Sequence, residues 1–199
     1  FLFAEMVELG KFRHDQAISD EVKDGSIAYT LVRPYNYLAY HFANGMGETA
    51  VKMVLIFLLG APVAFYFAGA PTVYLPGLLP ALLVMLLSLI IDFCMSSMIG
   101  LMAFVMEDTF SLRLIYQKII FILGGLLIPI DFLPEWMQTI ANVLPFRLVT
   151  YAPAKLLVAF TWTQFWDLLL WQFIWLSILG FLLWRQYRWA SRRLAVNGG

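Results

Sequence analysis

LPGLLPALLVMLLSLIIDFCMSSMIGLMAFVM, residues 75–106, decides the fold class. The stretch contains no Lys, Arg, His or Glu, and its one carboxylate is Asp92. Roughly 20 apolar residues in a helix cross the hydrocarbon core of a bilayer. Residues 75–106 exceed that length, so they cross with a tilt or begin in the interface. Lipid offers no partner for a free backbone N–H or C=O, and a continuous apolar run meets that demand as a helix.

Three more apolar runs flank this one, at about 46–69, 114–128 and 163–187. The run at 114–128 is short for a full crossing before Pro129. It is expected to bend or re-enter near the outer surface, with Gly124 and Gly125 permitting close packing or a kink. Pro62, Pro76 and Pro80 are compatible with membrane helices whose neighbours satisfy the freed carbonyls. Over the whole chain 62% of residues are hydrophobic and 13% charged. Soluble domains carry about 25% charged residues, and a soluble core of this length could not hide the excess apolar surface. Many of the Phe, Trp and Tyr residues flank the apolar runs, as interfacial anchors do. The net charge is zero, which gives no basic field for nucleic acid. Cys94 is the single cysteine and has no partner for an internal disulfide.

Orientation follows from the basic residues. Alternating the connections places 11 of the 13 Lys and Arg on one side, leaving Arg147 and Lys155 on the other. The richer side is cytoplasmic by the positive-inside rule. The C-terminus, the segment from Lys11 to Gly45 and the turn from Glu107 to Arg113 are then inside. Phe1-Leu2-Phe3-Ala4 reads as the tail of a preceding membrane helix, and it lacks the basic region of a signal peptide. The whole of 1–199 is expected to be one transmembrane domain, the C-terminal part of a longer protein.

Two stretches are neither spans nor plain loops. The cytoplasmic stretch 15–34 reads as two short helical pieces. Ile18 and Val22 share one face, and Ile27 and Leu31 share the next. Gly25 can take the left-handed conformation that ends the first piece, and Ser26 can cap the second. Pro34 biases Arg33 out of the helix. The acidic Asp20, Glu21 and Asp24 face water or a partner, so the stretch is either a docking element or a solvated connector. The outer stretch 129–146 reads as an amphipathic helix opened by Pro134 and closed by Pro145. Leu133, Met137, Ile140, Ala141 and Leu144 form its apolar face, and Trp136 suits the interface. It lies either in the outer leaflet or on the protein's own surface.

Ser88, Asp92, Ser96 and Gly100 recur every fourth residue and make a small, polar row on one helix face. A charge at mid-membrane costs at least about 2.5–3.5 kcal/mol, so the row faces protein or a wet cavity. It is either a hydrogen-bonded packing knot or part of a transport path. Catalytic signatures are absent from the sequence. There is no phosphate-binding Gly-x-x-x-x-Gly-Lys loop and no nucleophile elbow. His14 and His41 have no Cys or His at metal-ligand spacing. His14-Asp15 is an acid–base pair in form, but it is read as a solvated surface pair.

The pattern Ile18…Gly25-Ser26…Leu31-Val32-Arg33-Pro34 resembles that of ABC-2-type permeases, the membrane subunits of bacterial ABC exporters. The later pattern Pro129-x-x-x-Leu133-Pro134-x-Trp136…Leu144-Pro145-Phe146 is similar to one in the same family. The resemblance covers nearly the whole chain. It implies an all-α polytopic bundle with a cytoplasmic coupling helix and an outer re-entrant or amphipathic helical hairpin. It also implies six membrane helices per subunit, of which this chain holds the end of the second and the third to sixth. Two permease subunits, identical or related, would join two cytoplasmic ATPases, and ATP and Mg would bind those partners. The ATPase would contact the loop containing Ile18, Asp20, Glu21, Val22, Asp24, Gly25, Ser26, Ile27, Leu31 and Arg33. The location implied is the bacterial inner membrane. A proton- or ion-coupled secondary transporter using Asp92, and a membrane-embedded assembly factor or enzyme, are the alternatives.

Overall fold

The computed structural model describes residues 8, 11–32, 36–69, 75–106 and 108–197. Arg33 and Pro34, Phe1–Ala4 and most of the connection before Leu75 lie outside the described residues, as does the side chain of Leu31. Every described element is helical. In chain order these are α1 (His14–Lys23), α2 (Ile27–Val32), α3 (Tyr37–Ala68), α4 (Leu78–Leu101), α5 (Phe110–Leu123), α6 (Glu135–Val143), α7 (Phe146–Val149), α8 (Tyr151–Val158) and α9 (Trp162–Asn197). One-turn 3-10 pieces lead into α4, follow it, and precede α6.

Three of the described helices, α3, α4 and α9, are long and apolar enough to cross a membrane. At 1.5 Å per residue, the 14-residue α5 rises only about 21 Å against a hydrocarbon core of about 30 Å. Its end is set by glycine. Gly125 takes φ 74°, and Leu127 N–H closes the turn onto the Phe121 carbonyl at 2.8 Å. A Cβ at Gly124 would collide with the Ile120 carbonyl and with Thr150, whose hydroxyl donates to the Gly124 carbonyl. The glycine pair therefore ends α5 and lets α7–α8 pack against it.

The α4 helix is the hub, with α1, α7, α8 and α9 all packed around it. Buried residues occupy every side of its C-terminal half, from Ile91 to Ser97. The 32-residue α3 begins nine residues before the apolar run does, because the Asn36 side chain accepts from Ala39 N–H and caps it. Its N-terminal half buries Tyr37, His41, Gly45, Thr49 and Met53 at four-residue spacing. Beyond Met53 most of its described side chains, including Leu58, Leu59 and Val63, are exposed to what lipid would cover.

The apolar residues of the 129–146 hairpin divide between two sides. In α6, Pro134 stands at the N-cap and Ala141 is fully buried. Trp136, Ile140 and Val143 project outward, 65%, 43% and 53% exposed, with Phe132 beside them in the chain. Ile140, grouped with Ala141 on one apolar face in the sequence, shares this outward stripe while Ala141 packs inward. Met137 and Leu144 are half-buried. Asp131 anchors the hairpin to α8 by accepting from the Lys155 ammonium and the Tyr151 hydroxyl. Those two hydrogen bonds hold its carboxyl below the usual range.

Candidate functional site

The α1–α2 hairpin is built into the bundle on one side and bare at its tip. Gly100 makes the contact possible. A Cβ there would lie 2.8 Å from Ile18 Cβ and 2.9 Å from the Asp15 carbonyl oxygen, so α1 touches α4 backbone to backbone. Ile18 is fully buried, Ile27 is 2% exposed, and Val22 packs against the same core. Ser19 Oγ and Thr109 Oγ1 share a buried hydrogen bond at 2.9 Å. Glu21 accepts from Tyr37 Oη at 3.0 Å and lies 3.2 Å from His41 Nε2, which ties α1 to α3.

Two expectations change here. Ile18 and Ile27 are not free for a partner, because the chain's own core has already buried them. Glu21 is half-buried, because Tyr37 and His41 of α3 hold its carboxylate. What remains exposed is the joint: Asp20, Lys23, Asp24, Gly25 and, on α2, Tyr29 at 79%. Gly25 holds φ 76° with open space around it. Ser26 donates its N–H to Asp24 Oδ1 at 2.9 Å, so the carboxylate organises the turn. The Ser26 hydroxyl and N–H hold the Asp24 carboxyl below its ordinary range. Lys23 Nζ reaches Asp108 Oδ1 at 3.1 Å.

His14 and Asp15 are also corrected. Both are buried, at 5% and 7% exposure, not solvated. The His14 ring sits edge-on between Phe12 and Phe93, each at 4.8 Å, and fills the space above Gly45 where any Cβ would collide. Its Nδ1 is buried without a partner among the described residues. Burial and the neighbouring His41 push the imidazole down to about 4, against the opposing charge of Glu48. It is a neutral packing group.

The polar row of α4 divides by depth. Ser88 donates to the Leu148 carbonyl at 2.6 Å and accepts from Gln172 Nε2 at 3.0 Å, locking α4 to α7 and α9. Ser96 donates back to the Asp92 carbonyl at 2.7 Å. Asp92 accepts from Tyr116 Oη at 2.7 Å and lies 3.6 Å from the Lys11 ammonium, with both charged side chains under a tenth exposed. Lys11 is also paired to Glu8. Ser88 and Gly100 are thus packing residues, while Asp92 and Ser96 lie on the wall of a cavity of about 770 Å³.

That cavity opens between α1, α3 and α5, and ten charged side chains line it. Lys11 is held by Glu8 and Asp92. Lys52 pairs with Glu48 at 2.6 Å, and Arg113 Nε lies 3.7 Å from Asp15 Oδ2. Sequence reasoning found Asp92 but missed Lys11, Tyr116 and Gln172. A signal existed for Gln172: an amide inside an apolar run must find a partner. Lys11 gave none, since its pairing with a residue 81 positions away exists only in the fold. Among the described residues no group of three or more His, Cys, Asp or Glu could hold a metal ion.

The family described as ABC-2 family transporter protein matches residues 1–198. The chain belongs to that family of membrane transporter proteins. No curated protein and no solved structure matches it.

Proposed function

We propose that this member of the ABC-2 family is the permease subunit of an ATP-driven exporter, with the α1–α2 hairpin as the element that receives the motion of the ATPase. The supporting observation is the hairpin's asymmetry. Its inner side is fixed to α4 through Gly100 and Lys11–Asp92 and to the start of α5 through Ser19–Thr109, while Asp24, Gly25 and Tyr29 stand exposed. A displacement applied at the tip therefore moves α4, because close-packed interiors transmit strain.

In this scheme the hairpin faces the cytoplasm, as the excess of basic residues on that side suggests. ATP and Mg bind the partner ATPases, whose closure moves the hairpins of two permease subunits. The α4 helices follow, and the charged cavity beside each one changes shape. The stripe Phe132, Trp136, Ile140 and Val143 sits in the outer interface. Docking uses Tyr29 as an apolar anchor, while Lys23 and Asp24 set register and encounter rate. The placement of Asp92 on a cavity wall favours one second reading, a secondary transporter in which that pair relays an ion.

Copurification separates the two. Tyr29→Asp combined with Asp24→Lys is expected to release the ATPase while the membrane domain keeps its thermal stability. Ile18→Asp is expected to unfold the hairpin instead, because it buries a charge against Gly100. Recovery of the ATPase at wild-type yield with the double variant would remove the hairpin from the coupling role.

A further inference from the structure

The cavity beside Asp92 retains unpaired charge after its internal pairs are counted. Seven of its ten charged side chains are engaged in the ion pairs already described. Arg13, Lys118 and Asp20 are the three with no ion-pair partner among the described residues. We propose that this cavity binds a zwitterionic headgroup bearing a phosphate-type anion and an ammonium, with Arg13 and Lys118 taking the anion and Asp20 the cation.

The placement of the three groups suits such a ligand. Arg13 immediately precedes α1, and Asp20 follows seven residues later. Seven residues make almost two full turns, so the two lie on one side of α1, about 10 Å apart along its axis. Lys118 approaches from α5, its ammonium 5.9 Å from the Phe121 ring centre. Phe12, Phe121 and Leu126 supply apolar lining. The volume of about 770 Å³ falls within the range of roughly 300–1,000 Å³ usual for small-ligand sites.

The mixed sign selects against simpler ligands. A plain anion would gain two cations but leave Asp20 facing it across the same space. A plain cation would meet Arg13 and Lys118. Only a ligand with both charges leaves none of the three wall groups opposed by its like. The headgroup could come from a membrane phospholipid or from a free phospho-zwitterion, and the chemistry of recognition is shared. The cavity's role as the inner mouth of a transport path rests on the permease reading above, but the binding does not.

The test uses the purified protein in nanodiscs of equimolar phosphatidylethanolamine and phosphatidylglycerol, with retained lipid quantified after detergent extraction. The wild type is expected to retain phosphatidylethanolamine preferentially. Arg13→Gln and Lys118→Gln should each lower that retention about fivefold or more, as loss of a charge-assisted bond does. Lys118→Arg should keep it, which separates recognition from misfolding. Asp20→Asn should shift the preference toward phosphatidylglycerol. Glycerophosphoethanolamine then identifies the source: displacement of the lipid by this soluble headgroup points to free zwitterions, and failure to displace points to lipid, both within the proposed chemistry. Equal retention of the two lipids by wild type, or undiminished retention in the Arg13→Gln/Lys118→Gln double variant, would overturn the site. ATPase copurification with Lys118→Gln stays at wild-type yield if the hairpin reading holds, so the two proposals fail separately.

Discussion

Asp92 and Lys11 are buried together, and that makes each dangerous without the other. Breaking a buried pair by removing one partner typically costs about 3–5 kcal/mol, because a charge is left uncompensated. Lys11 keeps Glu8, so Asp92→Leu is expected to destabilise by about 3 kcal/mol, at the low end of that range. The double variant Lys11→Met/Asp92→Leu should recover most of the loss, since an apolar pair replaces both charges. Denaturant unfolding in detergent micelles measures both, and a single variant as stable as wild type would show that the pair is not coupled. Asp92 was legible as an isolated carboxylate in an apolar helix. Its partner was not, because nothing local to Lys11 distinguishes it from Lys23 or Lys52.

His14 gives a pH signature at the same scale. Its imidazole is held near 4 in the fold, against about 6.5 in an unfolded chain. Below 6.5 the unfolded state takes up a proton that the folded state refuses. Stability attributable to this group is therefore full above pH 6.5 and declines as the pH falls toward 4. The thermal midpoint should drop between pH 7.5 and pH 5, and His14→Leu should flatten that dependence. An unchanged slope in the variant would place the titrating group elsewhere.

At the scale of elements, Gly100 decides whether α1 and α4 behave as one body. Its missing Cβ admits the Asp15–Ile18 turn against the helix backbone. Gly100→Leu must push α1 away, because the obstruction is partly backbone and cannot rotate aside. Such overpacking costs about 1–3 kcal/mol. The variant should lose ATP-dependent transport while Tyr29 and the tip still bind the ATPase, a separation seen by comparing transport with copurification. Full transport by Gly100→Leu would deny α4 its part in transmission. The sequence showed the joint at Gly25 and both short helices, since glycine and the apolar spacing are local signals. It misassigned their apolar faces: Ile18 and Ile27 look the same whether the groove that buries them belongs to this chain or to another. Which apolar residues of α6 pack inward was left open for a related reason. Its helix was legible from Pro134 to Pro145, but the packed side depends on where α7 and Trp175 sit, and Trp175 donates to the Val143 carbonyl across the fold.

For the molecule as a whole, apolar run length identified the membrane class and the positions of α4 and α9. It was less informative about α3, whose capped polar start extends the helix well before its apolar part, and about α5, which glycine stops at 14 residues. What emerges is a hub helix carrying a charged cavity on one flank and a rigidly attached hairpin at one end. The central claim is that this hairpin's bare tip meets the ATPase. A photo-crosslinking amino acid placed at position 29, with position 136 as the control, tests it in intact cells. The account predicts a crosslink from position 29 to an ATPase chain, altered in yield by nucleotide state, and none from position 136. Absence of any ATPase adduct at position 29, with the protein expressed and folded, would contradict it.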